Sequence, residues 1–127
     1  MSIALWTVLL AAVMPVLTVV LAKRAGGAYD NTNPRIWAQN LEGFRRRAYA
    51  AHQNHFEFFP FFAVAVLLGE WKGGAGFGNA LALVIIAARL AYTAFYLTDR
   101  ANLRSIAWTI AWVGTITLFV TGGLAAR

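Results

Sequence analysis

Two ionisable residues, Glu57 and Arg89, interrupt long apolar stretches of the sequence. A charge inside an apolar helix is costly unless it faces a polar interior, so each residue is a candidate for a functional site. Glu57 follows Arg47 by ten positions, which places it roughly 15 Å further along a helix. The two charges either neutralise each other or bond to Asn and Tyr side chains to fix helix packing, or they belong to a pocket for a charged small molecule.

Polar residues at helical spacing form two stripes around these charges. Residues three, four or seven apart share one face of a helix. One stripe lies within about 80° of arc and the other within about 60°. The members are Arg47, Asn54 and Glu57 on one segment and Arg89, Tyr92 and Tyr96 on the other. The sequence therefore predicts two polar faces that line a shared interior.

Arg104 and Ser105 lie where the last apolar segment begins. A guanidinium, a hydroxyl and the unpaired backbone amides of a helix start together favour binding of an anion. A fixed cation also favours the thiolate form of a bound thiol. From spacing alone, a plain helix cap that contacts a lipid phosphate is an equal alternative.

His52 and His55 are spaced by three and are the candidates for a metal site. Metal binding is disfavoured because Glu57 points away from both histidines on a helix, and because the chain has no cysteine to complete a ligand set. The lack of cysteine also excludes disulfides and a cysteine nucleophile.

The elements that carry these residues are predicted to be membrane helices. Of the 127 residues, 60% are hydrophobic, and the mean hydropathy is +0.60, more apolar surface than a soluble domain of this length buries. Residues 3–22 and 105–126 contain no charged side chain, and each is long enough to cross a bilayer. Lys23 and Arg24 follow the first span rather than precede it, which favours a membrane helix over a cleaved signal.

The sequence therefore predicts one all-α domain over residues 1–127. We expect a four-helix membrane bundle with helices at about 3–22, 43–69, 79–98 and 103–125.

The net charge of +6 is concentrated between the predicted helices. Six Lys and Arg residues lie within 23–47 and two more are Arg100 and Arg104, whereas a Gly-rich turn over 71–78 carries only Lys72. By the positive-inside rule both termini face away from the cytoplasm. Cations beside apolar spans favour anionic membrane lipids as partners over nucleic acid. The compact chain favours a bacterial inner membrane over an organelle.

Residues 47–60 resemble the second-helix signature of the MAPEG family, membrane-associated proteins in eicosanoid and glutathione metabolism. That signature has an Asn, a Glu three residues later and a Pro three after that, which here are Asn54, Glu57 and Pro60. The likeness extends over nearly the whole chain, through Arg89, Tyr92 and Tyr96 to Arg104 and Ser105. The resemblance implies a bacterial-type member that forms a homotrimer, with glutathione bound between neighbouring subunits.

The resemblance also implies a reaction and its residues. Glutathione, as co-substrate, would be activated as a thiolate that attacks a lipophilic electrophile or reduces a lipid hydroperoxide. The implied glutathione-binding residues are Arg24, Arg47, Asn54, Glu57, Arg89, Tyr92 and Tyr96, and the implied catalytic pair is Arg104 with Ser105. The family also includes members that bind lipid without catalysis. A non-catalytic lipid-binding or assembly protein of the same fold is therefore the alternative, and a small transporter or proton relay is a third.

Overall fold

The computed structural model describes residues 1–71 and 75–125 and is predominantly helical. Five helices are present in this part of the chain, and none of these residues is in a strand. The helices are α1 (Ile3–Arg24), α2 (Pro34–Gln39), α3 (Gly43–Trp71), α4 (Ala75–Leu97) and α5 (Ala101–Ala125). The predicted all-α class is confirmed.

Two connections differ from the prediction. The long first loop contains the short helix α2, which begins at Pro34 because the fixed φ of proline suits a first helical turn. The turn predicted over 71–78 is shorter, since α3 continues to Trp71 and α4 begins at Ala75. Lys72, predicted to be the single cation of that turn, lies outside the described residues.

Three helices are long and apolar enough to cross a membrane, namely α1, the Gly76–Leu97 part of α4 and the Ala101–Leu124 part of α5. Helix α3 is longer, at 29 residues, but three of its first five residues are arginines, and it is not among the candidates found in the described chain. The fourth span, over residues 43–69, stays a prediction. Large apolar side chains such as Leu17 and Val84 are exposed on the outer surface, as lipid-facing side chains are.

The apolar core lies where α3 packs against its neighbours α1, α4 and α5. Phe58, Phe62 and Val66 of α3 are buried at helical spacing, and so are Ala82 and Ile85 of α4. One turn before Phe58 this face of α3 carries Asn54, and four residues after Ile85 the face of α4 carries Arg89. The apolar packing of α3 on α4 therefore decides where the two predicted polar stripes meet.

A proline within α1 joins that helix to α3. The Pro15 carbonyl accepts a hydrogen bond from Nδ1 of His52 at 2.7 Å and another from the Thr18 hydroxyl at 3.0 Å. Because an imidazole nitrogen that faces a carbonyl must carry a proton, His52 is the Nδ1–H tautomer or is charged. His52 is thereby used to hold α1 against α3.

The first loop is fastened to the helix ends by Arg45. Its Nε donates to the Ala22 carbonyl at the end of α1, at 2.9 Å, and its guanidinium occupies the space where a side chain at Gly27 would project. Gly27 also has φ +71°, a value that glycine adopts without strain. The ring of Trp37 in α2 lies 5.5 Å from the Arg45 guanidinium carbon. These contacts hold α2 over the beginning of α3.

A second part of this loop is ordered by Asp30. Its carboxylate accepts hydrogen bonds from the backbone N–H groups of Asn33 and Thr32, at 3.1 and 2.8 Å. Both bonds favour the ionised form, and they hold the pKa of the Asp30 carboxyl below its usual value. The turn they form leads directly into α2.

A tight turn joins α4 to α5. Asp99 has φ 60°, a left-handed conformation that Asp tolerates better than most residues. The N–H of Arg100 donates to the Phe95 carbonyl at 2.8 Å and that of Asp99 to the Tyr96 carbonyl at 3.2 Å, the bonding pattern of a Schellman motif. The turn reverses the chain within four residues, so Tyr96 and Arg104 lie side by side.

Gly122 of α5 lies against the backbone of α3, and its lack of a side chain allows the two helices to approach closely. A Cβ at this position would be 2.9 Å from the Gly69 nitrogen and 3.1 Å from the Leu68 carbonyl carbon. We expect Gly122→Ala to push the helices apart and to lower the free energy of unfolding by about 1–3 kcal/mol. Thermal unfolding in detergent micelles, followed by far-ultraviolet circular dichroism, measures the loss.

The matched control is Gly123→Ala, because a Cβ there has no described atom within 4 Å. The higher helix propensity of alanine predicts that the free energy of unfolding rises by up to about 1 kcal/mol. If both variants unfolded at the wild-type temperature, the close approach of α3 and α5 would not contribute to stability.

Candidate functional site

The guanidinium of Arg89 is fully buried between α3 and α4, with an exposed fraction of 0%. Its Nη2 donates to Nδ1 of His55 at 2.7 Å. Nε2 of His55 donates to the Thr93 hydroxyl at 3.0 Å, and that hydroxyl donates to the Arg89 carbonyl at 2.9 Å. Because Nδ1 accepts from a group that only donates, the closed ring requires a neutral His55 with its proton on Nε2.

Asn54 lies between Arg89 and Glu57 and bonds to both. Its Oδ1 accepts from Nη1 of Arg89 at 3.0 Å, and its Nδ2 donates to Oε2 of Glu57 at 3.1 Å. This amide orientation is required, since a guanidinium only donates and a carboxylate only accepts. The one ion pair within the described residues lies elsewhere, so Arg89 and Glu57 are linked through an amide and not by direct contact.

Aromatic rings complete the surroundings of Arg89. Its guanidinium carbon lies 4.5 Å from the ring centre of Phe58 and 4.3 Å from that of Tyr92. Both distances suit cation–π attraction, which is strongest where water is excluded. Nε of Arg89 is buried with no hydrogen-bond partner among the described residues. The aromatic faces therefore replace part of the hydration that the cation gives up.

A cavity of about 390 Å³, which we name the helix cavity, opens beside this network between α3, α4 and α5. Its lining residues are Asn54, Tyr92, Tyr96, Arg104, Ser105, Trp108 and Thr109. The fold thus brings five of the predicted site residues to one place, from three helices. Asn54 connects the cavity to the buried Arg89, because its amide both lines the cavity and accepts from the guanidinium.

Arg104 supplies the positive charge of the helix cavity. Its guanidinium carbon lies 4.4 Å from the centre of the Tyr96 ring, which holds the cation over that ring. The expectation of free backbone amides at this point is wrong, because α5 begins earlier than predicted, at Ala101. The N–H of Arg104 consequently bonds to the Arg100 carbonyl at 2.9 Å. The side chain of Arg104, not the helix start, is what the cavity presents to an anion.

Four predicted binding residues do not line the helix cavity, namely Arg24, Arg47, Glu57 and Arg89. Arg24 is the exposed last residue of α1. Arg47 donates from Nε to the Leu97 carbonyl at 3.3 Å, and its Nη1 lies 3.9 Å from the carboxylate of Asp99. Arg47 therefore fastens α3 to the end of α4. Glu57 is exposed on the outside of the single chain.

A larger cavity of about 750 Å³, the loop cavity, lies between α2, the first half of α3 and the end of α4. Its lining residues are Arg35, Ala38, Gln39, Arg46, Tyr49, Ala50, Gln53 and Tyr96. Tyr96 lines both cavities, so the two meet at its ring. Apart from Tyr96, none of these residues is among the site residues that the sequence predicted.

Sequence reasoning missed three further site residues. Trp108 and Thr109 lie one turn after Arg104 and Ser105, so helical spacing alone would have placed them on the same face. The sequence marks His55 only as a candidate metal ligand, whereas in the structure it accepts a hydrogen bond from Arg89. Nothing in the local sequence indicates that role, because it depends on how α3 is rotated against α4.

The arrangement suits binding of a negative charge better than removal of a proton. The described residues that line the helix cavity present one guanidinium, an amide, hydroxyls and aromatic rings, and none of them carries a carboxylate or an imidazole. Ser105 Oγ donates to the Ala101 carbonyl at 3.1 Å, which leaves its oxygen only as an acceptor. A negative charge on a ligand in this cavity would lie near the Arg104 guanidinium, and an opposite charge at short range favours the ionised form of a group.

Comparison with known proteins identifies one family. The model of the MAPEG family matches residues 3–124, which include the lining of both cavities. The match confirms the resemblance seen at residues 47–60. No curated protein matches the chain.

The bond between Asn54 and Arg89 predicts a coupling energy that a double-mutant cycle can measure. Asn54→Ala leaves a buried guanidinium donor without its acceptor, so we expect the free energy of unfolding to fall by about 1–3 kcal/mol. After Arg89→Met the donor is gone. In that background Asn54→Ala should lower the free energy of unfolding by about 0.5–3 kcal/mol less than it does in the wild-type protein. Chemical unfolding in micelles supplies the four values of the cycle.

Thr117→Val is the control for this cycle, because the Thr117 hydroxyl donates within its own helix, to the Val113 carbonyl at 2.9 Å. It should change stability by no more than about 0.5 kcal/mol. Additive losses in the double variant would contradict the proposed link between Asn54 and the buried cation.

Proposed function

Because the chain belongs to the MAPEG family, we propose that it is a glutathione-dependent transferase or peroxidase acting on lipophilic electrophiles or lipid hydroperoxides. Three candidate spans and the family membership make the chain an integral membrane protein. The observation that carries the proposal is the helix cavity, where Arg104, Asn54 and Tyr96 converge beside the exposed ring of Trp108. A polar thiol and an apolar acceptor can meet there at the edge of the membrane.

In this proposal Arg104 stabilises the thiolate of bound glutathione. The thiol proton leaves to water on the open side of the cavity, where Ser105 is exposed. A guanidinium fixed over the Tyr96 ring stays close to the sulfur, and opposite charge at short range favours the ionised form. Asn54, Tyr92 and Tyr96 would hold the peptide by hydrogen bonds.

The thiolate then reacts with an acceptor that arrives from the lipid. With an electrophile, the sulfur forms a bond to carbon, the bond from that carbon to the leaving oxygen or halide breaks, and water protonates an oxygen leaving group. With a hydroperoxide, the thiolate attacks the distal oxygen, the O–O bond breaks and the alkoxide takes a proton. A second glutathione reduces the resulting sulfenic acid to a disulfide and water.

We also propose a homotrimer whose subunit contacts cover Glu57. Glu57 is exposed in the single chain although it lies in the middle of α3, and a carboxylate facing lipid is costly. A neighbouring subunit, or glutathione held against it, would supply the missing polar surroundings. Arg24 and Glu57 would then reach glutathione from a subunit boundary, while Arg47 and Arg89 would act by holding α3 in place.

The distribution of cations supports a topology in which both termini face away from the cytoplasm. The first connection carries Arg35 on α2, and Arg45–Arg47 begin α3. Arg100 and Arg104 lie on the same side, since α4 returns the chain to that end. A bacterial inner membrane, which retains basic loops at its cytoplasmic face, suits this arrangement.

Thiolate formation is the direct test of the proposed chemistry. Adding glutathione to the purified protein should produce the ultraviolet absorbance band of a thiolate. The band should reach half of its full absorbance at a lower pH than it does for free glutathione. Arg104→Ala should abolish the band at neutral pH and move its appearance to higher pH, because the stabilising cation is gone. A pH titration of absorbance at saturating glutathione measures both effects.

Arg100→Ala is the matched control, as it removes an exposed arginine that lines neither cavity. It should keep the wild-type band and the wild-type midpoint. A wild-type protein without any thiolate band would rule out the transferase and peroxidase proposals together.

A non-catalytic assembly protein of the same fold is the second candidate, because the hydrogen bonds that link Glu57, Asn54 and Arg89 can serve helix packing alone.

Under our proposal Glu57→Gln keeps the oligomer and weakens glutathione binding about tenfold, because one charge-assisted hydrogen bond is lost. Multi-angle light scattering in detergent and a binding titration measure the two effects. Glu70→Gln, near the end of α3, is the control that should change neither. Dissociation of the oligomer by Glu57→Gln would favour the assembly role.

A further inference from the structure

Two hydroxyl groups in the lining of the helix cavity are available to a ligand only as hydrogen-bond acceptors. They belong to Ser105 and Thr109 of α5, both exposed, and we name them the hydroxyl pair. The Ser105 hydroxyl donates its hydrogen to the Ala101 carbonyl at 3.1 Å, and the Thr109 hydroxyl donates its own to the Ser105 carbonyl at 2.9 Å. A hydroxyl has one hydrogen and two lone pairs, so each oxygen keeps only lone pairs for a ligand. The hydroxyl pair therefore suits a ligand group that donates a hydrogen bond.

The hydroxyl pair lies beside the groups assigned to the reaction. Four positions separate Ser105 from Thr109, which places their Cβ atoms about 5–6 Å apart on one side of α5. Arg104, which precedes Ser105, carries the cation proposed to stabilise the thiolate, and Trp108, which precedes Thr109, has a side chain that is 40% exposed. A second substrate that lies along the Trp108 ring can thus reach both the thiolate beside Arg104 and the hydroxyl pair.

The two kinds of second substrate in the proposed function differ in their hydrogen-bonding groups. A lipid hydroperoxide carries a hydrogen on its distal oxygen and can donate it to the hydroxyl pair. An epoxide or an organic halide has no such hydrogen, so it would displace water from the two oxygens without replacing the lost hydrogen bonds. A site that bonds to the O–H group of a substrate selects against analogues that lack it. The hydroxyl pair therefore favours the hydroperoxide.

We infer that the hydroxyl pair makes the helix cavity selective for lipid hydroperoxides, with Thr109 as the specificity-determining residue, an inference that rests on the proposed function. Thr109 has this role because it lies five residues beyond Arg104, roughly 7–8 Å further along α5, whereas Ser105 adjoins the cation.

The hydrogen bond from the substrate is compatible with every stage of the reduction. The thiolate sulfur forms a bond to the distal oxygen, the O–O bond breaks, and its electron pair leaves with the proximal oxygen, which takes a proton from water. The hydrogen stays on the distal oxygen in the sulfenic acid that forms. Its bond to the hydroxyl pair can therefore hold the reacting oxygen before, during and after the transfer.

The test compares two kcat/KM values of the full-length protein in nanodiscs of neutral phosphatidylcholine. One is for cumene hydroperoxide and the other for chlorodinitrobenzene, an aryl chloride without a hydrogen-bond donor. Thr109→Val keeps the shape of the side chain and removes the oxygen, so the ratio of hydroperoxide to chloride values should fall about three- to tenfold, the value of one neutral hydrogen bond. Adding Ser105→Ala should lower the ratio further. Thr109→Ser returns the oxygen and should bring the ratio back to within about twofold of wild type.

Thr117→Val is the matched control, because the same substitution two turns further along α5 removes a hydroxyl outside the described lining of both cavities. Both of its kcat/KM values should stay within about twofold of wild type. The thiolate band at saturating glutathione should persist in Thr109→Val, since Arg104 is intact, and its presence shows that the variant is folded.

A binding comparison separates recognition of the O–H group from an effect on the chemical step. Cumyl alcohol donates a hydrogen bond, and cumyl methyl ether does not. Both are used as competitive inhibitors against chlorodinitrobenzene, and the ratio of their inhibition constants measures the preference for the alcohol. That preference should be about three- to tenfold lower in the variant that combines Thr109→Val with Ser105→Ala than in wild type.

Each outcome decides a different claim. An unchanged ratio of kcat/KM values in Thr109→Val, or an equal fall of both values, overturns the hydroperoxide selectivity, and the equal fall would assign the hydroxyl pair to the thiol peptide instead. Wild-type protein that forms the thiolate band and reacts with the chloride but leaves the hydroperoxide intact also overturns the selectivity, without affecting the transferase proposal. Wild-type protein with no thiolate band overturns this inference together with the proposed function.

Discussion

The buried guanidinium of Arg89 is the constraint on which the rest of the structure depends. Within an apolar bundle a buried donor that loses its acceptor is costly, because water does not replace the lost bond. His55 and Asn54, neighbours on α3, meet two of them, and Thr93 closes the network onto the backbone of α4. The rotation of α3 about its axis and its register on α4 are fixed together. Any shift that suits the apolar core but moves Asn54 leaves a buried cation unsatisfied.

The same constraint shapes the helix cavity. Asn54 is held with its oxygen on Arg89, so its amide edge is directed to Glu57, and Tyr92 is held against the guanidinium on the cavity side. The tight turn at Asp99 then brings α5 back so that Arg104 covers Tyr96. One cation, Arg89, holds α3 and α4 together, and a second, Arg104, faces the cavity. Different arginines therefore position the site and line it.

The arginines near the loop end of the bundle divide in a similar way. Arg45 and Arg47 donate hydrogen bonds to backbone carbonyls at helix ends, where the helix dipole favours cations. Arg46, between them in sequence, points to a different side because neighbours on a helix are about 100° apart. Arg46 lines the loop cavity instead. Helical geometry points three consecutive arginines in three directions, and the packing of α1, α2 and α4 around α3 decides what each one meets.

The sequence by itself determined the helical class, the apolar spans and the family, because these follow from composition, local periodicity and the Asn54–Glu57–Pro60 motif. It also placed Arg89, Tyr92 and Tyr96 on one face of α4, since spacing along a helix is a local property. Only the tertiary structure decided that Asn54 bridges Arg89 and Glu57, that His55 holds the guanidinium and that Arg47 is used at the end of α4. The rotation of each helix about its axis is set by contacts between residues far apart in the chain. No local pattern records that rotation. Spacing therefore predicted which residues share a helix face, but not which residues of the other helices they contact.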